Sequence, residues 1–140
     1  MSGPRLRPVN PGSLARPSGY SHGMAAAGGV LLHVAGQVGW DGEGNMVAGG
    51  FVAQFDRALA NVLAVVAEAG GGPEHVTRMR LYVTDLDEYR RSLTELGAAY
   101  RGRMGKRYPA MALVQVAGLL EDGARVEIEA DAVVPGAGEP

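Results

Sequence analysis

Between Gly50 and Ala69 the apolar side chains fall at Phe51, Phe55, Ala58, Leu59, Val62, Leu63 and Val66. That is the i, i+4, i+7, i+8 spacing of one face of an α-helix. Gly70-Gly71-Gly72-Pro73 then ends it, because glycine accepts the left-handed conformation after a helix and proline cannot continue the ladder. From about Leu86 to Met104 the pattern returns with Leu86, Tyr89, Leu93, Leu96, Tyr100 and Met104 on one stripe. Asp85 is placed to cap this second helix, with Glu88 three residues on as in a capping box. The segments around both helices are β-rich, so each helix carries the chain from one strand to another. Such crossovers onto one sheet are right-handed, which puts both helices on the same face.

The strands follow from alternation. Val76 to Val83 sets Met79, Leu81 and Val83 against Arg78, Arg80 and Tyr82; Arg125 to Val134 sets Val126, Ile128, Ala130 and Ala132 against Arg125, Glu127, Glu129 and Asp131. Val30 to Val38 and Ala112 to Ala117 are shorter β-rich runs, and Trp40-Asp41-Gly42-Glu43-Gly44-Asn45 reads as a turn. An early strand around Tyr20 to Ala26 is expected to pair with Val30 to Val38 across Ala27-Gly28-Gly29. Glu121-Asp122-Gly123 reads as a hairpin turn between the last two strands. The result is an α+β domain with a single-layer mixed sheet and two helices on one face. The other face is expected to hold Arg78, Arg80, Gln115, Glu127 and Glu129 mixed with Leu113 and Val133. A half-apolar bare face of this size is usually covered by association, so a cyclic oligomer with those faces turned inward is predicted.

A length of 140 residues suits one domain, with an ordered core over about 15–134 and a tail over 135–140. The absence of cysteine excludes a disulfide scaffold and thiolate metal sites. The formal net charge of −2 argues against a nucleic-acid partner. Met1–Asn10 holds two prolines and two arginines and no apolar core, unlike a secretory signal. The most apolar stretch, Gly23–Gly39, is broken by five glycines and falls short of the ~20 residues of a spanning helix. A cytoplasmic protein without membrane contact is the expectation.

Several chemistries find no support. His22, His33 and His75 stand far apart, so no metal site is expected. There is no G-x-S-x-G nucleophile elbow. Gly39 to Gly44 lacks a phosphate-binding Lys or Ser/Thr, and Gly70 to Gly72 sits at the wrong pole of its helix for phosphate. Arg101, Arg103, Lys106 and Arg107 crowd the end of the second helix, where cations offset the negative end of the dipole or make an anion or RNA site.

At Gly19-Tyr20-Ser21-His22, Gly36-Gln37, Gln54, Asn61, Gly70, Pro109-Ala110 and Val126-Glu127-Ile128-Glu129-Ala130, in register over roughly 15–134, the sequence resembles the Rid family. The family is also called YjgF or RidA, and older labels are L-PSP endoribonuclease and translation inhibitor. The resemblance implies a chorismate-mutase-like fold, a homotrimer whose sheets close into a barrel, and small-molecule pockets at the subunit interfaces, with no cofactor. It further implies hydrolysis of reactive enamines and imines to 2-keto acids and ammonia. In members with the complete site an arginine directly after Pro-Ala grips the substrate carboxylate, while a tyrosine and a glutamate position water and the substrate nitrogen.

Carried onto this sequence, the catalytic positions are Tyr20 and Glu127. The substrate-binding positions are Ala35, Gly36, Tyr108, Met111 and Leu113. Met111 stands at the arginine position, Ala35 where a serine is usual, Leu113 where cysteine is common, and Gly97 where the second helix usually has asparagine. Methionine offers neither donor nor charge in place of a planar bidentate guanidinium. A carboxylate buried beside Met111 and Leu113 is left unpaired, at several kcal/mol. Arg107 is a candidate substitute. Tyr108 is held extended by Pro109, with its ring toward a neighbouring subunit, and Trp40 is either a lid or a capped core edge.

Three readings stand. The first is an arginine-lacking Rid enzyme that adds water to an imine or enamine, with Glu127 activating the water and Tyr20 orienting the substrate. The second is a non-catalytic trimer that binds a small metabolite or a partner. The third is a ribonuclease or translation inhibitor; it ranks last, because no basic groove with stacking rings is evident.

Overall fold

A computed structural model of the chain describes residues 3–136. The first helix, α1 (Phe51–Glu68), forms where the periodicity places it and buries Phe51, Phe55, Ala58, Leu59, Val62 and Val66. Gly70, at φ 91, turns the chain out of it, and the Gly71 N–H returns to the Val66 carbonyl at 2.9 Å. A single 3-10 turn (Pro73–His75) leads into β4 (Val76–Val83), which buries Val76, Met79, Leu81 and Val83. The last strand, β6 (Val126–Val134), alternates without interruption, with every second residue from Val126 to Val134 buried.

The main sheet has the order β3-β6-β4-β5, where β3 is Val30–Gln37 and β5 is Ala110–Gln115. Strands β3 and β4 run antiparallel to β6, while β5 lies parallel to β4. The helices cover one face. The core lies between α1 and that face, closed by Leu96 and Met104 of a third helix. Among the described residues, no helix is long and apolar enough to cross a membrane.

Five expectations need correction. The early strand, β2 (Gly23–Ala27), does not pair with β3. It forms a two-stranded ribbon with β1 (Arg5–Val9), a strand the sequence reading passed over. Gly28 and Gly29, at φ 78 and 76, swing the chain between the two sheets, and β6 already occupies the inner edge of β3. Pro8 fits this ribbon because a proline needs an edge position. The second helix is two, α2 (Leu86–Arg91) and α3 (Leu93–Met104), broken at Ser92 with φ −108 and ψ 13. The Ser92 N–H reaches only to Tyr89, and its carbonyl starts the next helix; serine competes poorly inside a helix.

The capping box is half made. Asp85 accepts from the Glu88 N–H at 3.1 Å, but the Glu88 carboxylate goes to Arg125 at 2.5 Å. The last two strands form no hairpin, since β5 pairs with β4 on one side and β6 with β4 on the other. Finally, Leu113 and Gln115 lie on the helix face, because the register Leu81↔Leu113 and Val83↔Gln115 aligns them with the buried residues of β4. Of the tail, Pro135 and Gly136 follow β6 without regular structure, and 137–140 lie outside the described residues.

The uncovered face carries the other set of side chains from β4 and β6. Arg80 donates to Glu129 at 2.7 Å and approaches Asp131 at 3.5 Å. The Tyr82 hydroxyl donates to Glu129, and His33 meets Asp131 at 2.8 Å. These bonds, Tyr82 first and Arg80 second, hold the Glu129 carboxyl below the ordinary glutamate range. A depressed folded value means stability present above the unfolded pKa and lost as pH falls through the folded one. Urea midpoints measured from about pH 5 down to about pH 3 are therefore expected to fall more steeply for the wild type than for Glu129→Gln.

Candidate functional site

Ser21 builds the site. Its side chain is buried, its hydroxyl donates to the Tyr108 carbonyl at 2.5 Å, and its N–H donates to the Pro109 carbonyl at 3.1 Å. An isolated bridge to Ala110 completes the contact. The segment Gly19-Tyr20-Ser21-His22 is thereby pinned beside the start of β5, although nearly ninety positions separate the two in sequence. Tyr20 then sits at the rim of a cavity of about 560 Å³ that lies on the helix face where the sheet ends at β5.

The floor of that cavity comes from Met79, Leu81 and Ile128, and its outer wall from Met111 and Leu113 of β5. Helices α2 and α3 supply Tyr89, Leu93, Leu96, Gly97, Tyr100 and Arg101. The Tyr108 ring stacks on Tyr100 with centroids 5.5 Å apart and planes 11° from parallel. The Tyr100 hydroxyl donates to the Arg107 carbonyl. Burial pushes the phenols of Tyr89 and Tyr100 up, that of Tyr100 further through Tyr108. Both stay protonated at neutral pH and serve as walls and donors, not bases. Tyr20, 37% exposed, meets His22 edge to face at 5.3 Å.

Of the catalytic and substrate-binding positions named from the sequence, four therefore share one cavity: Tyr20, Tyr108, Met111 and Leu113. Ala35, Gly36 and Glu127 do not join them within one protomer. They belong to the uncovered face, where the register sets Glu127 opposite Tyr82. There Gly36 leaves room for Glu127, since a Cβ at 36 would lie 2.7 Å from Cδ and 2.9 Å from Oε1 of that carboxylate. Among the described residues no cation pairs with Glu127, whereas Glu129 two positions on is held by Arg80.

Other conspicuous residues have structural work. Gln54 is buried; its amide donates to the Gly123 carbonyl at 2.9 Å and its oxygen accepts from the Arg125 N–H at 2.8 Å. Asn61 donates to the carbonyls of Val38 and Trp40 at 3.1 and 3.0 Å. Together they lock α1 to the loops that leave β3 and enter β6. Trp40 does not line the cavity; its carbonyl is fixed by Asn61 and Arg57, and it bridges to Met46. Among the described residues no group of three or more His, Asp or Glu could hold a metal ion.

The cations divide clearly. Arg107 lines a separate cavity of about 210 Å³ beside Lys106, Glu74 and the β1–β2 ribbon and is not among the residues that line the larger one. Arg103 clasps Asp56 of α1 at 2.7 and 2.9 Å, which lowers the Asp56 carboxyl. Arg101 lines the larger cavity, one helical turn after Gly97, with Nη1 3.1 Å from where a Cβ at 97 would be. The sequence offered two signals for it, the basic cluster at the helix end and the Gly97–Arg101 spacing of one turn.

The chain matches the family model described as Endoribonuclease L-PSP over residues 13–134. It is 36% identical to Protein DfrA of Myxococcus xanthus over 115 residues, covering 81% of this chain and 84% of that protein. To the 2-iminobutanoate/2-iminopropanoate deaminase of Capra hircus it is 32% identical over 103 residues, covering 73% and 72%. Among solved structures, a Rid-family protein of unknown function, YyfB from Yersinia pestis, superimposes with a TM-score of 0.78 at 33% identity, covering 92% of this chain and 98% of that one.

Proposed function

The chain belongs to the Rid family, and on that premise we propose that it hydrolyses the carbon–nitrogen double bond of a small reactive imine or enamine with an apolar body. The observation that carries this reading is the convergence of Tyr20, Tyr108 and Met111 on one cavity at the open edge of the sheet. Because Glu127 lies on the opposite face, the reading includes a homotrimer in which the Glu127 face of one copy completes the β5 cavity of the next. The uncovered sheet faces then turn inward.

In that composite site the chemistry balances without a cofactor. Tyr20 orients the substrate nitrogen. Glu127 takes a proton from water as the water oxygen bonds to the imine carbon, the π pair moves to nitrogen, and Glu127 returns that proton to the nitrogen. The carbinolamine then collapses: its hydroxyl proton passes through Glu127 to nitrogen, the C–N bond breaks, ammonia leaves, and a carbonyl compound remains. General acid–base assistance of this kind contributes about 10²–10⁴-fold.

Met111 sets the substrate range. With no guanidinium on β5, a small 2-imino acid has no partner for its carboxylate beside Met111 and Leu113. Wild-type protein is expected to accelerate hydrolysis of the alanine-derived imine, generated in place by an amino-acid oxidase, only weakly. Met111→Arg is expected to gain about tenfold or more, since charge-assisted bidentate bonds are worth that much. Efficient wild-type turnover of that imine would overturn this use of Met111. Light scattering tests the assembly, with three times the 14.5 kDa chain mass expected and a clean monomer against it.

Met111 also favours a second reading, a non-catalytic binding module built on the same cavity. A net charge of −2 ranks RNA cleavage behind both.

A further inference from the structure

We propose that Arg101 is the anion anchor of the β5 cavity, so that its ligand is a carboxylate with a bulky apolar body, held the opposite way round from one gripped by a β5 arginine. The inference rests on the hydrolase reading for the reaction, but not for the binding.

Several arginines are committed elsewhere. Arg80, Arg90, Arg103 and Arg125 each have a carboxylate partner, and Arg57 donates to Asn61 and the Trp40 carbonyl. Arg101 lines the cavity and, among the described residues, has no carboxylate within 4.0 Å. Gly97 is what lets it do so. With Nη1 3.1 Å from the position of a Cβ at 97, the guanidinium lies over the glycine, and any side chain there would force it to shift.

Among the described residues that line the cavity, Arg101 is the one cation. Arg101 marks the α3 end, while Met111 and Leu113 make the β5 end apolar. A volume of about 560 Å³ exceeds what a three- or four-carbon acid fills and falls in the range of sites for larger ligands. The Tyr100–Tyr108 stack and Tyr89 offer flat apolar surface for the body. A 2-imino acid with an aromatic or branched side chain meets these demands, its carboxylate on Arg101 and its side chain toward Met111.

Titration calorimetry with phenylpyruvate and 4-methyl-2-oxopentanoate, each against its neutral amide, tests this without relying on turnover. Wild-type protein is expected to bind the carboxylates at least about tenfold more tightly than the amides. Arg101→Gln should weaken carboxylate binding by about 10- to 100-fold and leave the amides unchanged, with Arg101→Lys recovering part of the loss. Gly97→Asn, which keeps the charge but forces it to shift, should also lose the preference. Arg101 is exposed within the protomer, so an unchanged melting temperature is expected for the glutamine variant. Equal binding of acid and amide by the wild type, a preference that survives Arg101→Gln, or no binding of either probe overturns the anchor. Carboxylate binding through Arg101 with no hydrolysis of the matching imines leaves the anchor standing and sinks the hydrolase reading. Imine hydrolysis that is indifferent to Arg101 does the reverse.

Discussion

Glu127→Gln is expected to lower imine turnover by about 10²–10⁴-fold, the range lost when a positioned general base is removed, with little change in melting temperature. The stability half follows from geometry. Among the described residues Glu127 makes no ion pair, and its carboxylate rests against Gly36 in a space that a neutral amide of the same shape fills equally well. The activity half follows from chemistry, since an amide cannot take a proton from water. Steady-state kinetics on in situ imines, read alongside a thermal melt, separate the two. Turnover unchanged in Glu127→Gln would remove Glu127 from the reaction and favour the binding module. A large fall in melting temperature would mean that the residue holds the assembly together and that any loss of rate is indirect.

The second large effect is on stability. Gln54→Leu is expected to cost about 2–5 kcal/mol, because it orphans the Gly123 carbonyl and the Arg125 N–H together, and each buried group without a partner costs about 1–3 kcal/mol. The leucine fits the volume, so the loss reports hydrogen bonding and not a cavity. Urea denaturation checks it, and a change below about 1 kcal/mol would mean that water replaces the amide. Because Glu127 lies two residues beyond Arg125, the variant should also blur any catalytic signal from that strand.

What was legible in the sequence was what a single period encodes. Helix α1 and strands β4 and β6 were readable because each places its apolar residues on one face for many residues, and the burial follows that pattern. Partners were harder. Nothing in Ala110–Gln115 says whether it pairs with the strand before or after it; only the tertiary choice of β4 fixes its facing, which is why Leu113 and Gln115 changed sides. The β1–β2 ribbon was hidden because Pro4 and Pro8 made its first strand look irregular, and the break at Ser92 because the apolar stripe runs straight across it.

For the site, the Tyr20 and Pro109–Ala110 motifs were visible, and Ser21 explains in bonds why they travel together. Their distance from Glu127 was not visible, because alternation tells which residues share a strand face but not which face meets a cavity. Arg101 went unseen as a lining residue. A basic helix end carries the same sequence signature whether its side chains face solvent, another helix or a pocket.

Strand β6 comes last in chain order among the strands of the main sheet, yet it lies in the middle of that sheet, between β3 and β4. Until β6 is in place, β3 has no neighbour in the main sheet and the apolar side of α1 has nothing complete to close on. The main sheet therefore cannot close until β6 joins it. Long-range pairing of this sort is slow, and before closure the unpaired strand edges and exposed apolar surface favour aggregation.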